Sequence, residues 1–241
     1  MGRRIVAILG VGTLLFFTGC SKFWSHFHNS PRTSKVVLPG KKWREEGLKK
    51  EREGEIEEAV KLYEKGCKEG DGVSCFSLGV IYALGKGVER DLEKAKEYFS
   101  KALTGLEEGC KKGDGRSCSD LGLMYQKGVV VEKDLEKAKE YYLRGCQLED
   151  SAGCVNLGVL YITGLGVSKN PQKAKQLFLK GCQLGDGAGC GNLGIMYLKG
   201  DGVEKNLSKA LLFFQKGCQL GSHNNCQRAS FLKTHIVAQS E

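Results

Sequence analysis

The sequence predicts an all-α fold: a solenoid of helix-turn-helix repeats riveted at their junctions by disulfides. Three observations carry this. Ten of the 11 cysteines fall into five pairs, Cys67/Cys75, Cys110/Cys118, Cys146/Cys154, Cys182/Cys190 and Cys218/Cys226, each spaced Cys-x7-Cys. The first members of the last four pairs are 36 residues apart, a recurrence in the range of stacked repeats. Within each recurrence, apolar residues keep helical spacing. A hydrophobic content of 41% supports a buried core and excludes wholesale disorder.

Residues 1–19 read as a lipoprotein signal peptide. Arg3 and Arg4 supply a basic start, and Ile5 to Phe17 form an apolar run too short for an ordinary membrane span. Phe17-Thr18-Gly19-Cys20 resembles a lipobox, with cleavage before Cys20 leaving that thiol to carry a lipid. Residues 20–40 lack helical periodicity, contain Pro31 and Pro39, and read as a tether, its Phe23, Trp24 and Phe27 able to rest at a bilayer interface. The solenoid is expected over 41–238. Without residues 1–19 the formal charge falls from +9 to +7, spread along the chain. Nucleic-acid binding wants a concentrated basic patch, and none is present.

Trp43 to Cys67 reads as a degenerate first hairpin turning at Gly54. The full unit is clearest from Cys154, where Cys154, Leu157, Gly158 and Tyr161 form one stripe of a first helix, A. Gly164 stops it in a left-handed conformation, and Gly166 continues the turn. Asn170 then caps a second helix, B, with Pro171 at its first position. Ala174, Leu177 and Phe178 give B its apolar face. Leu78-Gly79, Leu121-Gly122 and Leu193-Gly194 repeat the stripe, and Asp91, Asp134 and Asn206 repeat the cap. The first and second pairs are 43 residues apart, so the helix before Cys110 is expected to be longer. Val130 stands where the other turns have their second glycine, so that loop is expected to differ, because valine is strained at positive φ. Asn224 to Val237 reads as a final helix.

The first cysteine of each pair ends one B helix and the second opens the next A helix. The Gly/Asp-rich reversal between them brings the two within bridging distance. Zinc sites favour cysteines two to four residues apart, and redox catalysis favours Cys-x-x-Cys, so neither suits this spacing. No metal, cofactor or catalytic residue is assigned.

The composite LGVIYALGKGVERDLEKA, from Leu78 to Ala95, and LGIMYLKGDGVEKNLSKA, from Leu193 to Ala210, resemble the Sel1-like repeat, a relative of the tetratricopeptide repeat. With a cysteine pair in every unit, the chain resembles the Helicobacter cysteine-rich protein family of exported repeat proteins. The resemblance covers about residues 41 to 235 and implies a right-handed α-solenoid with a concave face. It also implies host interaction and, as an alternative, β-lactam binding or slow hydrolysis.

Recognition is expected on the face of helix A that turns away from B. A residue two places after the cysteine points about 200° from it, and one nine places after about 180°. The first set is Ser77, Asp120, Asn156 and Asn192, and the second is Leu84, Lys127, Thr163 and Lys199. Such side chains suit a groove for a protein or peptide, host or cell-wall associated, because amides both donate to and accept from a peptide backbone. Val159, Leu160, Ile195 and Met196 are expected to pack between adjacent A helices. Serine β-lactamases carry S-x-x-K, S-D-N and K-T-G. Here Ser230 to Lys233 gives the first, whereas Ser119-Asp120 is followed by Leu121 and Lys233-Thr234 by His235.

Overall fold

The computed structural model describes residues 38–238. The leader at 1–19, Cys20 and nearly all of the tether lie outside that range. Eleven helices follow among the described residues: α1 (Lys41–Arg52), α2 (Ile56–Lys68), α3 (Gly72–Leu84), α4 (Leu92–Lys111), α5 (Gly115–Lys127), α6 (Leu135–Gln147), α7 (Ser151–Thr163), α8 (Pro171–Gln183), α9 (Gly187–Lys199), α10 (Leu207–Gln219) and α11 (His223–Ala238). Odd-numbered helices are the A helices and even-numbered ones the B helices. The main packing joins helices one or two places apart in the chain, the signature of a solenoid.

Both starts of a hairpin are capped by chemistry the sequence repeats. Asp71, Asp114, Asp150 and Asp186 precede A helices and accept from the backbone N–H of Ser74, Ser117, Gly153 and Ala188. Asp91, Asp134, Asn170 and Asn206 precede B helices and accept from Lys94, Lys137, Lys173 and Lys209. Each cap satisfies an N–H that the helix itself cannot, typically worth about 1 kcal/mol. The turn from A to B closes the same way each time, the N–H of Asn170 donating to Tyr161 O at 2.8 Å and that of Asp134 to Tyr125 O at 3.0 Å.

Within a hairpin, a B-helix ring lies in a notch left by an A-helix glycine. A Cβ at Gly158 would stand 2.7 Å from Phe178 Cε1, and one at Gly194 would stand 2.6 Å from Phe214 Cε1. Phe178, Phe214 and Tyr142 are fully buried. Beside the notch the A-helix tyrosine lies flat on a B-helix ring, Tyr125 on Tyr141 at 5.5 Å and Tyr197 on Phe213 at 5.6 Å. A lysine from the first turn of B also lies over the tyrosine ring, as Lys137 does over Tyr125 at 5.0 Å.

Helix α4 has 20 residues against 13 in α6, α8 and α10, so the longer spacing before Cys110 is helix, about two turns of it. The loop at Val130 corrects an expectation. Val130 adopts φ 51°, and the turn keeps the same hydrogen bonds as its glycine-bearing counterparts, Val129 N–H to Met124 O and Asp134 N–H to Tyr125 O. Packing against the surrounding core holds the valine there; tertiary contact outweighs a left-handed penalty of about 1–2 kcal/mol.

Candidate interaction groove

The junction between repeats sets the candidate face. After the last B-helix turn, Gly113 enters the left-handed region at φ 90° and the N–H of Asp114 returns to Gly109 O at 2.9 Å. This reversal places the second cysteine over the first. Disulfides join Cys67–Cys75, Cys110–Cys118, Cys146–Cys154, Cys182–Cys190 and Cys218–Cys226, with Cα–Cα distances of 4.5 to 4.7 Å. Glu149 makes the same left-handed turn at φ 61° where Gly70, Gly113, Gly185 and Gly221 stand in the other junctions.

The residue two places beyond each second cysteine therefore occupies an equivalent site in every A helix, but the four sites differ. Asn156 and Asn192 are half-buried, on α7 and α9. Ser77 and Asp120 are 1% and 2% exposed, contrary to the expectation of an open groove at all four. The reason is local. Twelve of the 13 residues of α3 are buried, and Asp120 is drawn into an ion pair with Arg116, Nε to Oδ1 at 3.1 Å, on its own helix. Burial pushes the Asp120 carboxyl up to about 7, against the pull of Arg116 and with the help of Asp150. Burial likewise raises Asp150, with Arg116 opposing.

Lys127, Thr163 and Lys199 are exposed at the far end of the A helices, and Leu84 is half-buried. Thr163 turns its hydroxyl back to donate to Val159 O at 2.6 Å. Leu160 and Met196 are buried, whereas Val159 and Ile195 stay half-exposed beside the asparagines. A polar feature the sequence did not announce is Arg44 of α1. Its Nη1 lies 3.2 Å from Asp71 and 3.9 Å from Asp114, tying α1 to the caps of α3 and α5. A single arginine in a run of charged residues gives no sign of burial.

Ser230 and Lys233 stand exposed on α11, while Ser119 is buried on α5 with its hydroxyl donating to Gly115 O. The motif fragments are thus held apart. Among the described residues no three of His, Cys, Asp and Glu gather as a metal site, and no helix is long and apolar enough to cross a membrane.

The family model of the Sel1 repeat matches residues 42–71, 72–104, 115–150, 151–186 and 188–222. Its gap between 104 and 115 falls on the extra turns of α4. A Sel1 repeat protein from Oxalobacter formigenes is 25% identical, with a TM-score of 0.56 over 87% of this chain and 86% of that one. A protective antigen present in uropathogenic Escherichia coli strains is 22% identical, with a TM-score of 0.52 over 82% of this chain and 50% of that one. Helicobacter pylori cysteine-rich protein B is 32% identical over 52% of this chain and 95% of that one, with a TM-score of 0.43. No curated protein matches the chain in sequence.

Proposed function

The chain belongs to the Sel1 repeat family, and from that premise we propose that it is an exported, non-catalytic interaction protein that holds an extended peptide or protein segment against α7 and α9. The carrying observation is the pair Asn156 and Asn192. They sit one repeat apart at equivalent positions, half-exposed, with no described residue engaging either amide. Neighbouring helix axes lie about 8–10 Å apart, close to three residues of extended chain, so one peptide strand can meet both amides. Val159 and Ile195 give apolar contact beside them, and Lys199 favours an acidic group at one end.

Export is supported by five disulfides, which persist in oxidising compartments. The leader-like residues 1–19 and Cys20 add a lipid anchor to this reading, with the partner at the cell envelope or on a host cell. The test is affinity capture from envelope and host-cell fractions with the intact protein and an Asn156→Ala/Asn192→Ala variant of unchanged helicity. The variant is expected to lose the partner; equal capture by both would remove the groove.

A further inference from the structure

Three of the four hairpins from α3 to α10 lay a B-helix ring on the A-helix tyrosine, always from the position seven residues after the capping Asp or Asn. Tyr98 lies on Tyr82 at 5.6 Å, Tyr141 on Tyr125, and Phe213 on Tyr197. The hairpin of α7 and α8 has Leu177 at that position, and no described ring stacks on Tyr161. Tyr98 shows where such a ring goes. Its hydroxyl donates to Glu64 Oε1 of α2 at 3.4 Å, so the ring bridges consecutive B helices. Glu64 stands three residues before Cys67, and the residue three before Cys146 is Leu143 of α6.

Between α6, α7 and the start of α8 this gap is a cleft of about 450 Å³. Tyr161 and the buried Leu157 line it from α7, and Leu143, 45% exposed, lines it from α6; Leu177 does not reach it. The rim is basic: Lys139, Lys169 and Lys173 face one acid, Glu136. Lys139 pairs with Glu136, and Lys169 stands 3.8 Å from Asp201. Lys173 has no carboxylate partner among the described residues and lies 5.2 Å from the centroid of the Tyr161 ring. The Tyr161 hydroxyl makes no hydrogen bond among the described residues, whereas that of Tyr82 accepts one from Lys94 at 2.8 Å. Tyr141 and Phe213 stack on their tyrosines in the hairpins to either side, so the cleft is a single slot rather than a continuous groove.

We propose that this cleft binds a small aromatic carboxylate. The ligand ring lies against Tyr161 and Leu143, in the place that the other hairpins give to a ring of their own, and gains the contact of an aromatic pair. Its carboxylate meets Lys173, a charge-assisted hydrogen bond that no protein acid competes for. A cleft of about 450 Å³ suits one ring on a short stem, near the lower end of the roughly 300–1,000 Å³ typical of small-molecule sites. The site is on the B-helix side of the wall, away from Asn156 and Asn192, and does not depend on the groove reading.

The test titrates the intact protein with 3-phenylpropionate, read by ligand-detected NMR. Saturable binding with a Kd on the order of 1 mM or tighter is expected for a ligand of this size. Leu177→Phe restores the pattern of the other hairpins, which shows that the fold accepts a ring there; it should abolish binding with helicity unchanged. Lys173→Gln should weaken binding severalfold, as should replacing the acid by the neutral 3-phenylpropanol. Absence of saturable binding to the parent protein overturns the proposal, as does binding that survives Leu177→Phe or is equal for the acid and the alcohol. Tighter binding of a peptide ending in phenylalanine than of the free acid overturns the assignment to a small molecule. None of these readings involves Asn156 or Asn192, so they stand apart from the capture experiment on the groove.

Discussion

Gly158→Ala sets two effects of opposite sign against each other. In an exposed helix the change would stabilise by about 1 kcal/mol, because alanine is the better helix former. Here the new Cβ would stand 2.7 and 2.8 Å from Cε1 and Cδ1 of Phe178, and 3.3 Å from Cζ. Carbon atoms rest at about 3.5–4.0 Å, so the ring must retreat by most of an ångström. It has little room, being 1% exposed and packed among Val155, Ala174, Cys182 and Leu193. Overpacking of this kind costs about 1–3 kcal/mol, so a net loss of up to about 2 kcal/mol is expected. For a chain of this size that is a fall of up to about 8 °C in Tm, read by circular dichroism under non-reducing conditions. Repeating the change in a Phe178→Leu background should return the sign to that of helix propensity. A Tm that rises on Gly158→Ala alone would refute the ring-in-notch account of the Leu-Gly stripe.

Replacing Cys146 and Cys154 together by serine opens a loop of nine residues and should cost about 2.5 kcal/mol, seen as a lower urea midpoint that disappears as a difference in reducing buffer. Asp120 is raised from 3.8 to about 7 in the fold. Between about pH 4 and pH 7 the folded chain therefore holds a proton that the unfolded chain has lost; this group's stabilisation is complete below the lower value and lost as pH rises through the upper one. Asp120→Asn should flatten the fall in stability across that window, and a slope identical to that of the parent would contradict the buried-acid assignment. Glu149→Gly should stabilise by about 0.5–1 kcal/mol in urea unfolding, since the position is left-handed and the loss of strain exceeds the added chain entropy.

The solenoid was legible because its signals are local and repeated. A left-handed glycine, a capping Asp or Asn, and a Leu-Gly pair opposite a B-helix ring each act within one hairpin, and the sequence writes them again every 36 residues. The disulfide pairing is legible for the same reason, since each bridge spans only eight positions. Val130 shows where that logic stops. Residue by residue it argues for a different loop, yet the fixed ends at Met124 and Asp134 impose the common one. A position with neighbours on both sides is decided by the array.

Burial across helices is the part a single unit does not encode. Ser77, Asp120, Asn156 and Asn192 share one register, and helical geometry alone makes them equivalent. Asp120 is set apart both by Arg116 on its own helix and by Asp150, the cap carboxylate of the following repeat. On the proposed groove reading, the junction that contributes stability would also order the recognition face. Cys154 pins the first turn of α7 to the end of α6, and Asn156 is two residues further along that turn. The Cys146–Cys154 and Cys182–Cys190 bridges thus hold the segments carrying Asn156 and Asn192 in register with each other. An extended ligand bound as proposed across two repeats would lose little affinity to ordering the wall, because the bridges hold it ordered beforehand.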